Sequence, residues 1–455
     1  VPIAWVLLFN FPKLFLYLFF IALYIFPYPI EILHVLPFKI ASYLDEVFAL
    51  FCLLYLIFVS IKRKYVVFPL IKYVALFFFI SFISFIANSS PFSSVFLFLN
   101  SFLKPIILFY FILNVKLPDK FYLNLIYLIV LIAFIQVFFN IGWFLGINPF
   151  PNPLNYPDPD FAIGTFGHKA SREVANYLCL LFISLLIYNK FYHRKKSNIL
   201  LMILLLISLS LTSSKISFVM LFLSIIIILP TMLNIKVFRY IILSAIVLIF
   251  GIFTLKKVEP IMFDNFMNYA SIGIRANPKI IAYKDILFEL KKEVPFHLFG
   301  AGPGMYASTI AIANRTPLAL KYVINPNFYE SDIKIAGYSF QQTGIGYIRL
   351  TGYTALAGDI GYFGLIVYLM IYFKVFSFVY SLGKKTRNKC WKTICFSTAG
   401  GLIYIILYNS FYDLFSVAAI TLPLWIFLGF IYKHRQQIIN YDSNHLQYLH
   451  FENNR

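Results

Sequence analysis

Two basic segments of the chain, each next to a predicted helix start, have the residue types that bind phosphate. In the first, Lys169 and Arg172 flank Ser171, which is suited to capping the apolar helix pattern that begins there. In the second, Arg275 stands just before another helix pattern. Free backbone N–H groups and the helix dipole favour anions at a helix start, and arginine binds phosphate through two parallel hydrogen bonds. The sequence therefore predicts a phosphate-binding site, with pairing of these cations to nearby carboxylates as the competing interpretation.

Other ionisable residues are weaker candidates. Lys215 lies in a short turn, where it either adds positive charge to the same site or extends its amine toward water. Lys104 and Asp359 fall in or near apolar runs, where charged groups are costly and often functional, and a structural ion pair is the alternative for both. His168 and His297 have no partners at metal-ligand spacing, so we predict no metal.

A glycine-rich stretch at 300–304 resembles a phosphate-binding loop only superficially. It follows a helix pattern rather than a strand and lacks the Lys-Ser/Thr ending of nucleotide-binding loops. We predict that these glycines let two backbone segments pack closely together.

The composition places these residues on a membrane protein. The chain has 455 residues, of which 61% are hydrophobic and 12% charged, against about 45–50% and about 25% in soluble domains. The net charge of +20 is explained by lysines and arginines in cytoplasmic loops rather than by nucleic-acid binding. The four cysteines show no paired spacing. These features predict an all-α polytopic integral membrane protein.

Apolar runs between polar interruptions predict about twelve transmembrane helices. Placing residues 62–64 in the cytoplasm puts four later basic clusters there too, and both chain ends with them. The loop 146–172 and the segment 256–354 then lie on the opposite side. The predicted spans are 14–30, 41–61, 66–87, 95–113, 121–145, one beginning near 173, 199–212, one reaching 233, 240–255, 355–378, 393–408 and 414–432.

This topology divides the chain into a first membrane part at 1–255, a large loop module at 256–354, a second membrane part at 355–435 and a cytoplasmic tail at 436–455. The loop module contains one amphipathic helix pattern at 277–294, in which Asn277 can cap and Pro278 fits the first helical position. Its predicted apolar stripe consists of Ile280, Tyr283, Leu287 and Leu290.

The order of these features resembles the O-antigen polymerase and O-antigen ligase family of bacterial envelope glycosyltransferases. The segments that carry the resemblance are Gly-Thr-Phe-Gly-His at 164–168, Leu-Thr-Ser-Ser-Lys at 211–215, the late loop with Arg275, Leu-Phe-Gly-Ala-Gly-Pro-Gly-Met-Tyr at 298–306, and Gly-Asp-Ile-Gly-Tyr-Phe-Gly at 358–364. At motif level the resemblance covers roughly residues 164–365.

The resemblance implies a fold like that of the glycosyltransferase C superfamily and a metal-independent transfer, without a cofactor, on the periplasmic face. The donor would be a glycan on undecaprenyl diphosphate, whose diphosphate is bound by Arg172 and Arg275. His168 is the first candidate for the base that deprotonates the acceptor hydroxyl, and Asp359 is the second. The further predicted substrate contacts are Lys169, Lys215 and Arg349.

Ligases of this family carry a histidine late in the large loop, and residues 338–353 contain none. We therefore predict a polymerase that transfers lipid-linked glycan of O-antigen, or a related surface polysaccharide, onto a lipid-linked repeat unit. A ligase acting on a lipid A-core acceptor is the alternative within the class, and a flippase for lipid-linked oligosaccharides is the alternative outside it. The predicted location is the bacterial inner membrane, and a chain-length regulator protein is a candidate partner.

Overall fold

The computed structural model describes residues 10–35, 44–62, 67–118, 120–147, 150–154, 158, 160–167, 170–192, 196–212, 214–228, 278–294, 297–324 and 351–435. Every regular element in these ranges is a helix. The ninth predicted span at 240–255 and the tail at 436–455 lie outside the described residues.

The long helices follow the predicted apolar runs. They are α1 (Pro12–Tyr24), α2 (Leu44–Lys62), α3 (Ile71–Asn88), α4 (Phe92–Asn114), α5 (Phe121–Phe144), α6 (Ser171–Phe191), α7 (Lys196–Leu211), α8 (Lys215–Ile228), α9 (Pro278–Lys284, Asp285–Glu289 and Leu290–Glu293 in direct succession), α10 (Gly352–Lys385), α11 (Lys389–Tyr408) and α12 (Ala418–Lys433). Short helical segments cover Tyr28–Ile32, His297–Phe299, Thr309–Ala313, Pro317–Ala319 and Leu320–Ile324.

The all-α membrane architecture agrees with the sequence prediction. Seven of the described helices, α2 to α6, α10 and α11, are long and apolar enough to cross a membrane. Four more, α1, α7, α8 and α12, are apolar but shorter. The helices pack around aromatic residues such as Tyr368, Tyr372 and Trp425, with the rings of Tyr372 and Trp425 5.6 Å apart.

Contacts between helix ends show which loops lie together. The Asn88 side chain at the end of α3 donates to the Gly300 carbonyl, and Tyr24 at the end of α1 donates to Ala419 at the start of α12. The Ser214 hydroxyl, between α7 and α8, lies 3.4 Å from the Tyr408 hydroxyl at the end of α11. We call this end of the bundle the loop end, and the opposite end, with Lys62, Lys190 and similar residues, the basic end.

A break in α10 near the loop end is built around Gly361. This residue has φ 75° and ψ −180°, a conformation that only glycine adopts readily. The glycine-rich stretch packs directly on the break, because the Ala301 and Gly302 amides donate to the carbonyls of Gly358 and Asp359 at 2.7 and 2.9 Å. The close backbone packing predicted for residues 300–304 is confirmed.

Helix α9 forms where predicted, with Pro278 as its first residue, but only part of the predicted apolar stripe is buried. Leu290 is buried and Tyr283 partly buried, whereas Ile280 and Leu287 are 41% and 52% exposed. The observed buried face is Lys279, Ala282, Ile286 and Leu290, which is displaced by one residue from the predicted stripe over most of its length. The predicted cap, Asn277, lies outside the described residues.

Candidate functional site

Arg172 lies in the first turn of α6 at the loop end, where backbone N–H groups lack intrahelical partners. The predicted cap is wrong by one position, since α6 begins at Ser171 itself and Ala170 occupies the cap position without a side-chain hydrogen bond. The Ser171 hydroxyl is buried and finds no hydrogen-bond partner within the described part of the chain. Arg172 remains exposed. The start of α6 therefore combines backbone N–H groups that have no intrahelical partner with the Ser171 hydroxyl and the side chain of Arg172.

A second cation, from α9, shares an aromatic ring with Arg172. The Arg172 Cζ lies 3.7 Å from the centroid of the Tyr412 ring, and the Lys279 Nζ lies 4.0 Å from the same centroid. Lys279 is only 3% exposed. Cations are attracted to the face of an aromatic ring, so Tyr412 can hold two groups that otherwise repel each other. We call Arg172 and Lys279 the cation pair.

Helix α9 is hydrogen-bonded to the segment that contains Tyr412. The Tyr283 hydroxyl, one turn after Lys279, donates to the Ser410 carbonyl at 2.9 Å. Tyr412 in turn continues the helical path of α11, since its amide donates to the Tyr408 carbonyl at 3.0 Å. These bonds fix the first turn of α9 against the end of α11.

Tyr412 is the outermost member of a row of tyrosines. Tyr404, Tyr408 and Tyr412 are spaced by four residues, and neighbouring ring centroids lie 5.8 and 5.9 Å apart. The Tyr404 hydroxyl donates to the buried Asn176 side chain, which lies one turn below Arg172 on α6. The row thus links the position of the cation pair to the core between α6 and α11.

Of the two cations only Lys279 can change its charge, because an arginine guanidinium does not deprotonate in proteins. Burial of the amine and, next in size, the positive charge of Arg172 hold the pKa of Lys279 well below its usual range. An anion bound at the cation pair would favour the charged amine and reverse this effect.

The predicted segment 164–167 is a buried loop held by two residues of α5. The Gln136 amide donates to the Thr165 hydroxyl, and the Thr165 N–H donates to the Gln136 carbonyl oxygen, both at 2.7 Å. The Gly164 N–H donates to Asn140 at 3.0 Å. This loop leads into α6, so its hydrogen bonds fix the backbone that precedes Arg172.

We expect Gln136→Ala to lower the free energy of unfolding by about 2 kcal/mol, because the buried Thr165 N–H loses its acceptor and the Thr165 hydroxyl keeps only its bond to the Tyr24 carbonyl. Gln136→Glu, which keeps an acceptor for the Thr165 N–H, should lose less. SDS titration of the purified protein in mixed micelles measures both values. Equal losses for the two variants would contradict the assigned role of the N–H bond.

Asp359, the second candidate base, is fully buried at the break in α10. Its carboxylate accepts hydrogen bonds from the backbone N–H groups of Tyr306 and Ala307, so it holds the segment after the glycine-rich stretch. Lys104 forms ion pairs with Asp45 and Glu46 of α2, which favours the structural explanation for that residue. A catalytic role for Asp359 stays a prediction.

The structure does not describe the side chains of the other predicted site residues. His168, Lys169, Arg275 and Arg349 lie outside the described residues, and Lys215 begins α8 with its side chain outside them as well. The structure thus brings Arg172 together with Lys279 and Tyr412, which sequence reasoning missed. The four-residue spacing of the tyrosine row was a usable signal, whereas nothing in the sequence marks Lys279 as buried.

Comparisons with known proteins do not assign the chain to a family. No protein-family model matches it, and no curated protein sequence matches it significantly. Among the described residues no group of three or more His, Cys, Asp or Glu side chains is arranged to hold a metal ion, and metal independence stays a prediction.

Proposed function

We propose that the protein is a polymerase of O-antigen or a related surface polysaccharide, which transfers glycan from undecaprenyl diphosphate onto a lipid-linked repeat unit at the periplasmic face of the inner membrane. The observation that carries this proposal is the cation pair. Two basic side chains within 4.0 Å of one ring centroid, beside N–H groups of a helix start that have no intrahelical partner, suit a ligand with two negative phosphates.

The proposed reaction needs one bond formed and one broken. The acceptor hydroxyl attacks the anomeric carbon of the donor sugar, the bond from that carbon to the diphosphate oxygen breaks, and the hydroxyl proton passes to a base. Arg172 and Lys279 stabilise the negative charge that develops on the departing diphosphate. His168 and Asp359 remain the two candidate bases, with His168 as the first candidate and Asp359 as the second.

The test is complementation of a strain deleted for this gene, with the surface polysaccharide ladder as the readout. The proposal expects a single repeat unit on the lipid in the deletion strain, and the full ladder on complementation with the wild type. Full-length polymer accumulating on the carrier lipid would contradict the polymerase and favour the ligase. Unpolymerised repeats trapped on the cytoplasmic side would contradict the polymerase and favour the flippase.

The lowered pKa of Lys279 predicts a pH-dependent affinity for diphosphate. Below that lowered pKa both cations are charged and inorganic pyrophosphate binds most tightly. As the pH rises through it, binding must also recruit a proton, and the affinity falls by up to about tenfold per pH unit until the higher pKa of the complex is reached.

Lys279→Arg is the matched control, because arginine keeps its charge throughout this range. The titration of pyrophosphate itself affects both proteins equally, so the ratio of their dissociation constants isolates Lys279. Isothermal titration calorimetry between pH 6 and pH 9 would measure that ratio. A ratio that stays constant with pH would show that Lys279 does not titrate on binding.

A further inference from the structure

Helix α9 presents an exposed stripe that alternates apolar and basic side chains. Ile280, Lys284, Leu287, Phe288 and Lys291 are all exposed and recur every three or four residues. Leu287 and Phe288 are 52% and 51% exposed, which is unusual for large apolar residues on a soluble surface. Apolar residues mixed with lysines are typical of helices that lie in a membrane–water interface.

The depth of α9 can be read from its contacts with the membrane helices. The end of α3 lies level with the break in α10, because Ser84 donates to the Asp359 carbonyl at 3.1 Å and Asn88 donates to the Gly300 carbonyl at 3.0 Å. Asp359 is therefore near the level at which the membrane part ends at the loop end.

Helix α9 touches α10 on both sides of that level. The Tyr283 hydroxyl, in the first half of α9, lies 3.5 Å from the hydroxyl of Thr351, just before α10, on the outer side. The middle of α9 contacts a residue on the inner side. The Tyr362 hydroxyl donates to the Ile286 carbonyl at 3.2 Å. Directly after Tyr362, α10 begins a stripe of exposed apolar residues with helical spacing, as expected for a face in contact with acyl chains: Phe363, Ile366, Met370 and Phe373. The residues of α10 before the break show no such exposed apolar stripe.

Counting residues along α10 from the basic end gives the same depth for α9. Phe378 packs against Tyr432, the residue before Lys433, with ring centroids 5.1 Å apart, so the hydrocarbon layer ends near Phe378 on that side. A hydrocarbon layer of about 30 Å takes about 20 helical residues. That distance ends near Gly358, about one turn beyond Tyr362. The middle of α9 therefore lies at the outer limit of the hydrocarbon layer.

We propose that α9 lies in the membrane–water interface at the loop end, with Leu287 and Phe288 in contact with the acyl chains of that leaflet. Lys284 and Lys291 reach from the same stripe toward the lipid phosphates. The opposite face of the helix holds Lys279 at the depth of the lipid headgroups, so a lipid-linked diphosphate would meet the cation pair without leaving the bilayer. The placement of α9 does not depend on the proposed enzymatic function.

Spin labels on α9 in proteoliposomes test this placement. Leu287→Cys and Phe288→Cys are labelled in a protein whose four native cysteines are replaced, and collisions with oxygen are compared with collisions with nickel ethylenediaminediacetate. Ile366→Cys on α10 is the lipid reference and Lys292→Cys the water reference. The proposal expects the oxygen-to-nickel ratio at 287 and 288 to lie clearly above the value at 292, in the direction of the value at 366.

Two results overturn the proposal. A ratio equal to that at 292 would place the stripe in water, and low accessibility to both reagents would mean that protein covers it. If replacing the cysteines prevents folding, Leu287→Trp in the native background gives a second measurement. After subtraction of the signal of the four native tryptophans, measured in the wild type, its fluorescence should be quenched by lipids brominated on their acyl chains, while that of Lys292→Trp is not. Equal quenching of the two added tryptophans would again overturn the proposal.

Discussion

Arg172→Ala and Lys279→Ala are each expected to reduce polymer formation at least about 100-fold. In the proposed reaction both side chains face the charge that develops on the diphosphate, and removing one such group from a preorganised site typically costs this much. Purified protein with a lipid-linked repeat unit as donor and acceptor, followed by gel analysis of chain length, measures the effect directly.

The effects of the two substitutions should not add. Each cation is held partly by the same Tyr412 ring, at 3.7 and 4.0 Å, so loss of one changes the position of the other. The double variant is therefore expected to retain more activity than the product of the single losses. Tyr412→Phe, which keeps the ring, should have a much smaller effect than Tyr412→Leu.

Lys292→Ala is the matched control for these variants, because Lys292 lies on the same helix and pairs with Glu289 on the surface. It should polymerise at the wild-type rate. If Lys292→Ala lowers activity as much as Lys279→Ala, the loss reflects general charge or folding of α9 rather than the cation pair. Elution position in size-exclusion chromatography and thermal stability identify variants that have lost their fold.

The membrane helices were predictable because an apolar run of membrane length has few other stable structures. The start of α9 was predictable for a local reason as well, since Pro278 fits only the first turn of a helix. The buried face of α9 was predicted only in part, because packing against α10 and the end of α11 selects it, as the bonds of Ile286 with Tyr362 and of Tyr283 with Ser410 show.

Of the three residues that the candidate site joins, only Arg172 was predicted. Arg172 was identified from its place before an apolar run, which is local information. Lys279 was not identified, because only the packing of α9 against the end of α11 brings it to Tyr412. A contact between residues separated by more than a hundred positions in the chain has no signature in a single sequence.

Gly361→Ala is expected to lower the free energy of unfolding by about 4 kcal/mol and to abolish the packing of the glycine-rich stretch. Two effects combine. The φ of 75° with ψ −180° is strained for any residue with a side chain, and the added Cβ would lie 2.0 Å from the Leu298 carbonyl oxygen and 2.6 Å from the Gly300 nitrogen. Both contacts are with backbone atoms, so no rotamer change can relieve them.

Gly146→Ala is the comparison without contacts. Gly146 also has a positive φ, 69°, but a Cβ added there meets nothing within 4 Å. It should cost only about 1 kcal/mol, from backbone strain. SDS titration of both variants gives the difference, which combines the contacts of the added Cβ with the extra strain that ψ −180° causes at Gly361. Equal costs would mean that the glycine-rich stretch moves away from the added Cβ at little cost.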